Sequence, residues 1–233
     1  MCTCFIDRRE DLIIAMNFDN NGMAFELDTK NSSIFSIVTD TKMGKVPSFG
    51  INKNGIFVNN LCVDSNGKGL YKRKSKTINL NIYLIKELLY EEIKMDNFEE
   101  YLKTMEIVNA PNICTHNFIT DKNGDVYVIE PGRGNIKNGT KESEYYVMTN
   151  FSIIDFNGGK KYTDYGIDRY NKTNNMLKKL EKIDVKEAFK ILEKVKQEGE
   201  WNTDFSMVYS KNKKTVYYCY KSKFNEIMEY KFK

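Results

Sequence analysis

The chain of 233 residues is 41% hydrophobic and 29% charged, an ordinary globular balance with no apolar run long enough to cross a bilayer, so one domain over residues 1–233 with one buried core is expected. Its 36 basic and 32 acidic residues are spread along the chain, so the net charge of +4 is not a nucleic-acid footprint. Five widely spaced cysteines in a chain of this length argue against a disulfide-stapled scaffold. With no basic-then-apolar leader pattern either, free thiols and cytoplasmic residence are expected.

Short alternating runs open the chain: 3–7, 12–17, 23–27 and 34–39, broken by Asn20-Asn21-Gly22 and Asn31-Ser32-Ser33, read as hairpin-connected strands. Residues 49–52 and 56–62 flank Lys53-Asn54-Gly55, whose Asn-Gly pair suits a tight hairpin turn. From Thr77 to Met95 the residues Ile78, Ile82, Ile85, Leu88, Leu89 and Ile93 recur at helical spacing. Asp96 or Asn97 can cap a second helix, with Phe98, Leu102, Met105, Ile107 and Val108 inward, and Pro111 ends it. Strands are expected again over 114–121, 126–130 and 145–149, then two amphipathic helices between Asp164 and Gln197 split near Ile183-Asp184. Strands over 204–210, 215–220 and 226–232 close the chain. This order predicts an α+β fold with helices segregated onto the outer faces of largely antiparallel sheets, a layered sandwich.

Cys2 is the first candidate for chemistry. A methionine followed by a small residue is a substrate for methionine aminopeptidase, whose action would leave Cys2 with a free α-amine beside its thiol. An ordinary thiol titrates near about 8.5 and an α-amine near about 7.7 to 8.0, so the neutral amine is a credible base for the thiol without help from a histidine. Position alone favours an ordinary small buried residue opening a strand. Asp19, at the end of the second strand, can lie beside Cys2 and orient its amine; it reads equally as a turn aspartate before Asn20-Asn21-Gly22.

Together these residues carry a resemblance. Cys2-Thr3, Asn17-x-Asp19, the run from Phe49 to Ile56, the 116–130 hairpin that begins His116-Asn117 and ends Val128-Ile129-Glu130, Met148-Thr149-Asn150-Phe151, and the stretch from Tyr165 to Arg169 follow one another in a familiar order. The chain resembles the choloylglycine hydrolase group of linear amide C–N hydrolases, in the N-terminal nucleophile hydrolase superfamily, as a short member related to acyl-coenzyme A:6-aminopenicillanic acid acyltransferase-like proteins. The resemblance implies a four-layer αββα sandwich, two largely antiparallel sheets between helix pairs. It implies Cys2 as nucleophile with its own amine as base, Asp19 orienting that amine, and the Asn150 side-chain amide donating to the oxyanion. The backbone N–H near Asn60 would be the second donor, with Cys62 an alternative alignment, and Arg169 would favour the thiolate. These parts suffice for hydrolysis of a linear, non-peptide amide through a thioester acyl-enzyme, with no cofactor and no metal. Resolution of that thioester by an amine would make the same site an acyltransferase, and a non-catalytic ligand-binding descendant is a further alternative. The substrate is a small-molecule amide, left open among conjugated bile salts, penicillins, N-acyl homoserine lactones and N-acyl amino acids; no nucleic-acid or membrane partner is implied.

The chain departs from the family at Met16, where members usually carry an arginine before the Asn-x-Asp element. The interval between Asn150 and Arg169 lacks the long excursion with which many relatives build a tetramer, so that assembly is not expected, and a homo-oligomer is left open. The segment between Asp19 and Asn60, where substrate-covering loops would lie, is reduced.

Other patterns read as structure. His116, the single histidine, is expected to be a satisfied strand residue. Cys2-x-Cys4 lacks the second pair a metal site would need. Pro131-Gly132-Arg133-Gly134 reads as a turn. The basic run Lys72, Arg73, Lys74 and Lys76 reads as a solvated loop, and Trp201 with Tyr217, Tyr218 and Tyr220 as core and cross-strand partners.

Overall fold

A computed structural model describes residues 2–41 and 44–232. In chain order the strands are β1 (Thr3–Asp7), β2 (Ile13–Asn20), β3 (Phe25–Asp28), β4 (Ile34–Thr41), β5 (Gly44–Asn52), β6 (Phe57–Asn59), β7 (Leu61–Cys62) and β8 (Ile78–Leu80). Helices α1 (Tyr83–Leu89) and α2 (Phe98–Thr104) precede β9 (Glu106–Val108), β10 (Thr115–Thr120), β11 (Val126–Glu130), β12 (Gly134–Asn138) and β13 (Tyr145–Met148). Helices α3 (Ile153–Asn157), α4 (Ile167–Leu177) and α5 (Val185–Lys194) then lead to β14 (Asn202–Ser210), β15 (Thr215–Tyr220) and β16 (Met228–Lys231). The chain divides into two compact units. One comprises residues 1–23, 139–151 and 161–233, the other residues 24–138 and 152–160.

The first unit is a six-stranded antiparallel sheet in the order β13-β1-β2-β14-β15-β16. Opposite residues in an antiparallel pair share a face, so the register Thr3↔Asn17 and Phe5↔Ala15 puts Thr3, Phe5, Ala15, Asn17 and Asp19 on one side. That side receives α4 and α5: Phe5, Ile13, Ala15, Val147, Val208 and Cys219 form one buried cluster with Leu177, Ala188, Phe189, Ile191 and Leu192. Helix α5 starts where Asp184 Oδ1 accepts from the Glu187 N–H at 2.8 Å, an N-cap worth about 1 kcal/mol. Its apolar residues at three- and four-residue spacing make the buried face. Met16, at the place of the missing arginine, lies on the opposite face between Cys4 and Met207 and is buried.

The second unit holds the sheet β12-β11-β10-β6-β5-β4-β3, with β7 also pairing with β10. Helices α1 and α2 cover it through Leu84, Ile85, Leu88, Leu89 and Phe98, packed on Ile34, Val58, Ile119 and Ile129. The approach is close at Gly50, where a Cβ would stand 2.7 Å from Leu89 Cδ1 and 2.9 Å from the Phe35 carbonyl oxygen. As expected, His116 is buried and bonded, its Nδ1 lying 3.1 Å from Glu130 Oε1. The loop 72–76 is mostly exposed.

Three local expectations fail and two elements arise unannounced, each for an identifiable reason. The helix expected from Thr77 begins only at Tyr83, because Ile78–Leu80 pairs in parallel with Glu106–Val108; the same pairing ends the second helix at Thr104, well before Pro111. Ile78 and Leu80 satisfy both a helical and a strand periodicity, and the partner strand decides. No hairpin joins β2 to β3: β2 pairs with β1 and β14, while β3 pairs with β4 in the other unit. Strand β12 follows the Pro131-Gly132-Arg133 turn without an alternation strong enough to announce it. Helix α3, five residues long, is too short for a periodic signal and exists because Ser152 and Glu130 cap it.

Candidate active site

Four of the five residues singled out from the sequence meet in the first unit. The β1–β2 pairing carries Cys2, one residue before Thr3, to the end of β2, where the Cys2 Sγ lies 3.9 Å from the Asp19 carbonyl oxygen. The Cys2 backbone nitrogen donates to Asn150 Oδ1 at 2.7 Å. Cys2 is 7% exposed, and Asp19, Asn150 and Arg169 are all buried.

Asn150 and Arg169 are brought together by a two-residue kink. Tyr165 and Gly166 both adopt left-handed backbone conformations, φ 54° and 80°. The Asn150 N–H donates to the Tyr165 carbonyl at 3.1 Å, and the Thr149 hydroxyl to the Gly166 carbonyl at 3.1 Å. Gly166 then caps α4. A Cβ there would stand 2.3 Å from Arg169 Nη2, so the glycine is required by conformation and by space.

Arg169 sits in the first turn of α4, where the helix dipole disfavours a cation. It is held there by acceptors. Nη1 donates to the Cys2 carbonyl at 2.6 Å and to Thr3 Oγ1 at 2.7 Å, and Nη2 donates to Asn150 Oδ1 at 3.1 Å. Nη1 also lies 3.5 Å from Asp19 Oδ2 in a buried ion pair. A local rule is broken here because a tertiary cluster repays it.

The Asp19 carboxyl is pushed up to about 6 by burial; Arg169 and hydrogen bonds from Thr203 and Gln197 oppose the rise without cancelling it. Thr203 Oγ1 donates to Asp19 Oδ1 at 2.5 Å and Gln197 Nε2 to Asp19 Oδ2 at 2.6 Å. Sequence reasoning misses both residues. Thr203 becomes visible only through the β2–β14 register, and Gln197 lies in a loop with no motif.

Asn60 belongs to the second unit, between β6 and β7. Its backbone N–H donates to the Ser48 carbonyl at 3.0 Å, and its buried side-chain Nδ2 has no partner. Cys62 is exposed and stands opposite Thr115. Among the described residues no group of three histidine, cysteine or acidic side chains could hold a metal ion.

The model of the acyl-coenzyme A:6-aminopenicillanic acid acyl-transferase family matches residues 10–225, running through both units. The chain belongs to this family. Among solved structures it is similar to the C2A mutant of the conjugated bile acid hydrolase from Clostridium perfringens, at 16% identity and a TM-score of 0.67 over 98% of this chain and 92% of that one. It is also similar to penicillin V acylase from Agrobacterium tumefaciens, at 13% identity and a TM-score of 0.66, covering 94% and 83%. A third match is the Caenorhabditis elegans ortholog of N-acylethanolamine-hydrolyzing acid amidase, at 14% identity and a TM-score of 0.55, covering 90% and 93%. These likenesses give the chain the αββα fold class of N-terminal nucleophile hydrolases. A search of curated protein sequences finds no match. No helix among the described residues is long and apolar enough to cross a membrane.

Proposed function

We propose that this family member hydrolyses a linear, non-peptide carbon–nitrogen amide bond with Cys2 as nucleophile. Family membership supports amide hydrolysis or acyl transfer in general. The observation that carries the finer reading is the contact between the Cys2 backbone nitrogen and Asn150 Oδ1, with Arg169 and Asp19 buried beside it. Met1 lies outside the described residues; its removal by methionine aminopeptidase, in the cytoplasm, turns the held nitrogen into an α-amine. The reading treats residues 1–233 as one catalytic domain.

The neutral amine takes the thiol proton as Sγ attacks the carbonyl carbon. The tetrahedral oxyanion collapses to a thioester as the leaving nitrogen receives that proton, and water then cleaves the thioester and restores the thiol. Two donors to Asn150 Oδ1 fix the side-chain amide whose Nδ2 is the proposed oxyanion donor. Arg169 favours the thiolate electrostatically.

Acyl transfer is the second reading, favoured by the family's transferase member, and differs only in the nucleophile that resolves the thioester. The test is intact-mass analysis of mature protein incubated with penicillins, conjugated bile salts, N-acyl homoserine lactones and N-acyl amino acids, with and without an added amine. An acyl adduct on Cys2 that is lost in Cys2→Ala and kept in Cys62→Ala and Cys114→Ala is expected. Retention of Met1 in the native host, or an adduct that survives Cys2→Ala, overturns the reading.

A further inference from the structure

We propose that Gln197 and Thr203 are positioning residues that clamp the Asp19 carboxylate and thereby make the loop after α5 part of the catalytic apparatus. This rests on the Cys2 reading above and extends it to residues that neither the family resemblance nor the motifs point to.

The clamp is built as a directed chain. The Gln197 backbone N–H donates to Thr203 Oγ1 at 2.8 Å. With its oxygen already accepting, the Thr203 hydroxyl turns its proton to Asp19 Oδ1, and successive bonds of this kind strengthen one another. The Gln197 side-chain amide closes on the other oxygen, Oδ2. A fourth bond, from the Thr203 N–H to the Gln197 carbonyl at 3.0 Å, ties off the intervening loop as a ring, and Gly199 at φ 102° allows its tight course.

A bulge in β14 sets this up. Thr203 stands opposite Asp19 and Ser206 opposite Asn17, so two residues apart on β2 correspond to three on β14, and Asp204 is the extra one. Without it, Phe205 would stand opposite Asn17. With it, two polar pairs share the helix-covered face: Thr203 with Asp19, and Ser206, whose hydroxyl donates to Asn17 Oδ1 at 2.7 Å. Asp204 itself turns to Asn20 Nδ2 at 3.2 Å. The groups facing Asp19 are therefore Arg169 from α4, Cys2 ahead of β1, Thr203 from β14 and Gln197 beyond α5.

Both clamp donors favour the ionised carboxylate against the burial that opposes it. Asp19 in turn holds Arg169, which bonds the Cys2 carbonyl and Asn150 Oδ1, the acceptor of the Cys2 nitrogen. Loosening the clamp therefore reaches the nucleophile through Arg169. Gln197 is only half-buried at the edge of an exposed loop, so this arm of the clamp can be altered without opening the core.

The test follows the Asp19 carboxyl by carbon NMR and the alkylation of Cys2 by iodoacetamide, located by peptide mass, in mature protein from pH 4 to 9. Wild type should show a carboxyl midpoint near 6 and an inflection of Cys2 alkylation at the same pH. Gln197→Met and Thr203→Val should move both upward together by about one pH unit, as expected for a lost hydrogen bond to a charged group. Thr203→Ser, which keeps the hydroxyl, should restore wild-type values. A midpoint that stays put in both Gln197→Met and Thr203→Val overturns the clamp. A midpoint that moves while the Cys2 profile does not overturns its positioning role. Failure of the nucleophile reading is separate: it appears in wild type, as retained Met1 or as acylation that survives Cys2→Ala. Should Thr203→Val not fold, the Gln197→Met arm decides alone.

Discussion

The backbone nitrogen of Cys2 donates to Oδ1 of Asn150 across 148 residues of chain, at 2.7 Å. Arg169 Nη2 shares the same acceptor, so one carbonyl oxygen fixes both the nitrogen of the proposed nucleophile and the cation beside it. Replacing Asn150 by Ala should lower the rate of acyl-enzyme formation by roughly 10²- to 10³-fold, the usual cost of losing an oxyanion donor. Asn150→Asp keeps an acceptor for Arg169 but loses the Nδ2 donor. It should show a similar rate loss with a thermal midpoint near that of wild type, measured by stopped-time mass spectrometry and calorimetry.

Asp19 gives stability a distinctive pH dependence. Its folded-state value near 6 lies above the ordinary 3.8, so between those values the folded state binds more protons than the unfolded one, and stability falls as pH rises. The interval corresponds to about 3 kcal/mol. The Asp19→Asn variant lacks this slope. Its stability relative to wild type should therefore improve between pH 4 and pH 7, although it loses activity, and urea unfolding at both pH values checks this.

Glu130 should behave in the opposite sense. Burial alone would raise its carboxyl, but hydrogen bonds from His116, Ser152 and the Ile153 N–H hold it below the usual 4.5. Its contribution is fully present above that value and is lost as pH falls through the folded one. Glu130→Ala strips the acceptor from three buried donors and should cost about 3 kcal/mol or more at pH 7, with a smaller penalty at pH 4 in the same unfolding experiment.

Gly166→Ala probes the kink that joins Asn150 to Arg169. The left-handed conformation costs an alanine about 1–2 kcal/mol, and the added Cβ competes with the Arg169 guanidinium for space. A lowered melting temperature together with a drop in acylation rate of about tenfold is expected, because 1.4 kcal/mol of lost transition-state stabilisation suffices for that factor. An Ala variant with wild-type kinetics would separate the kink from the chemistry.

Much of the architecture is legible in the sequence because the relevant forces are local. Short apolar runs bounded by turn residues mark β1, β2 and β15, although β1 and β2 are buried on both faces, and the apolar spacing of 185–194 marks α5, since burial on one face of a helix imposes a period that needs no knowledge of the partner. Cys2, Asp19, Asn150 and Arg169 could be named in advance from the order of short motifs, and the structure draws these four together.

The tertiary structure alone decided the rest. Ile78–Leu80 is a strand because Glu106–Val108 lies beside it, and an apolar run compatible with two periods cannot choose between them without that neighbour. The backbone N–H of Asn60 is spent on Ser48, which spacing cannot reveal. Thr203 and Gln197 reach Asp19 from 184 and 178 residues away, through a one-residue bulge and a tied loop. A carboxylate's surroundings depend on strand register, and register is set by the packing of the whole sheet instead of by the residues adjacent in the chain.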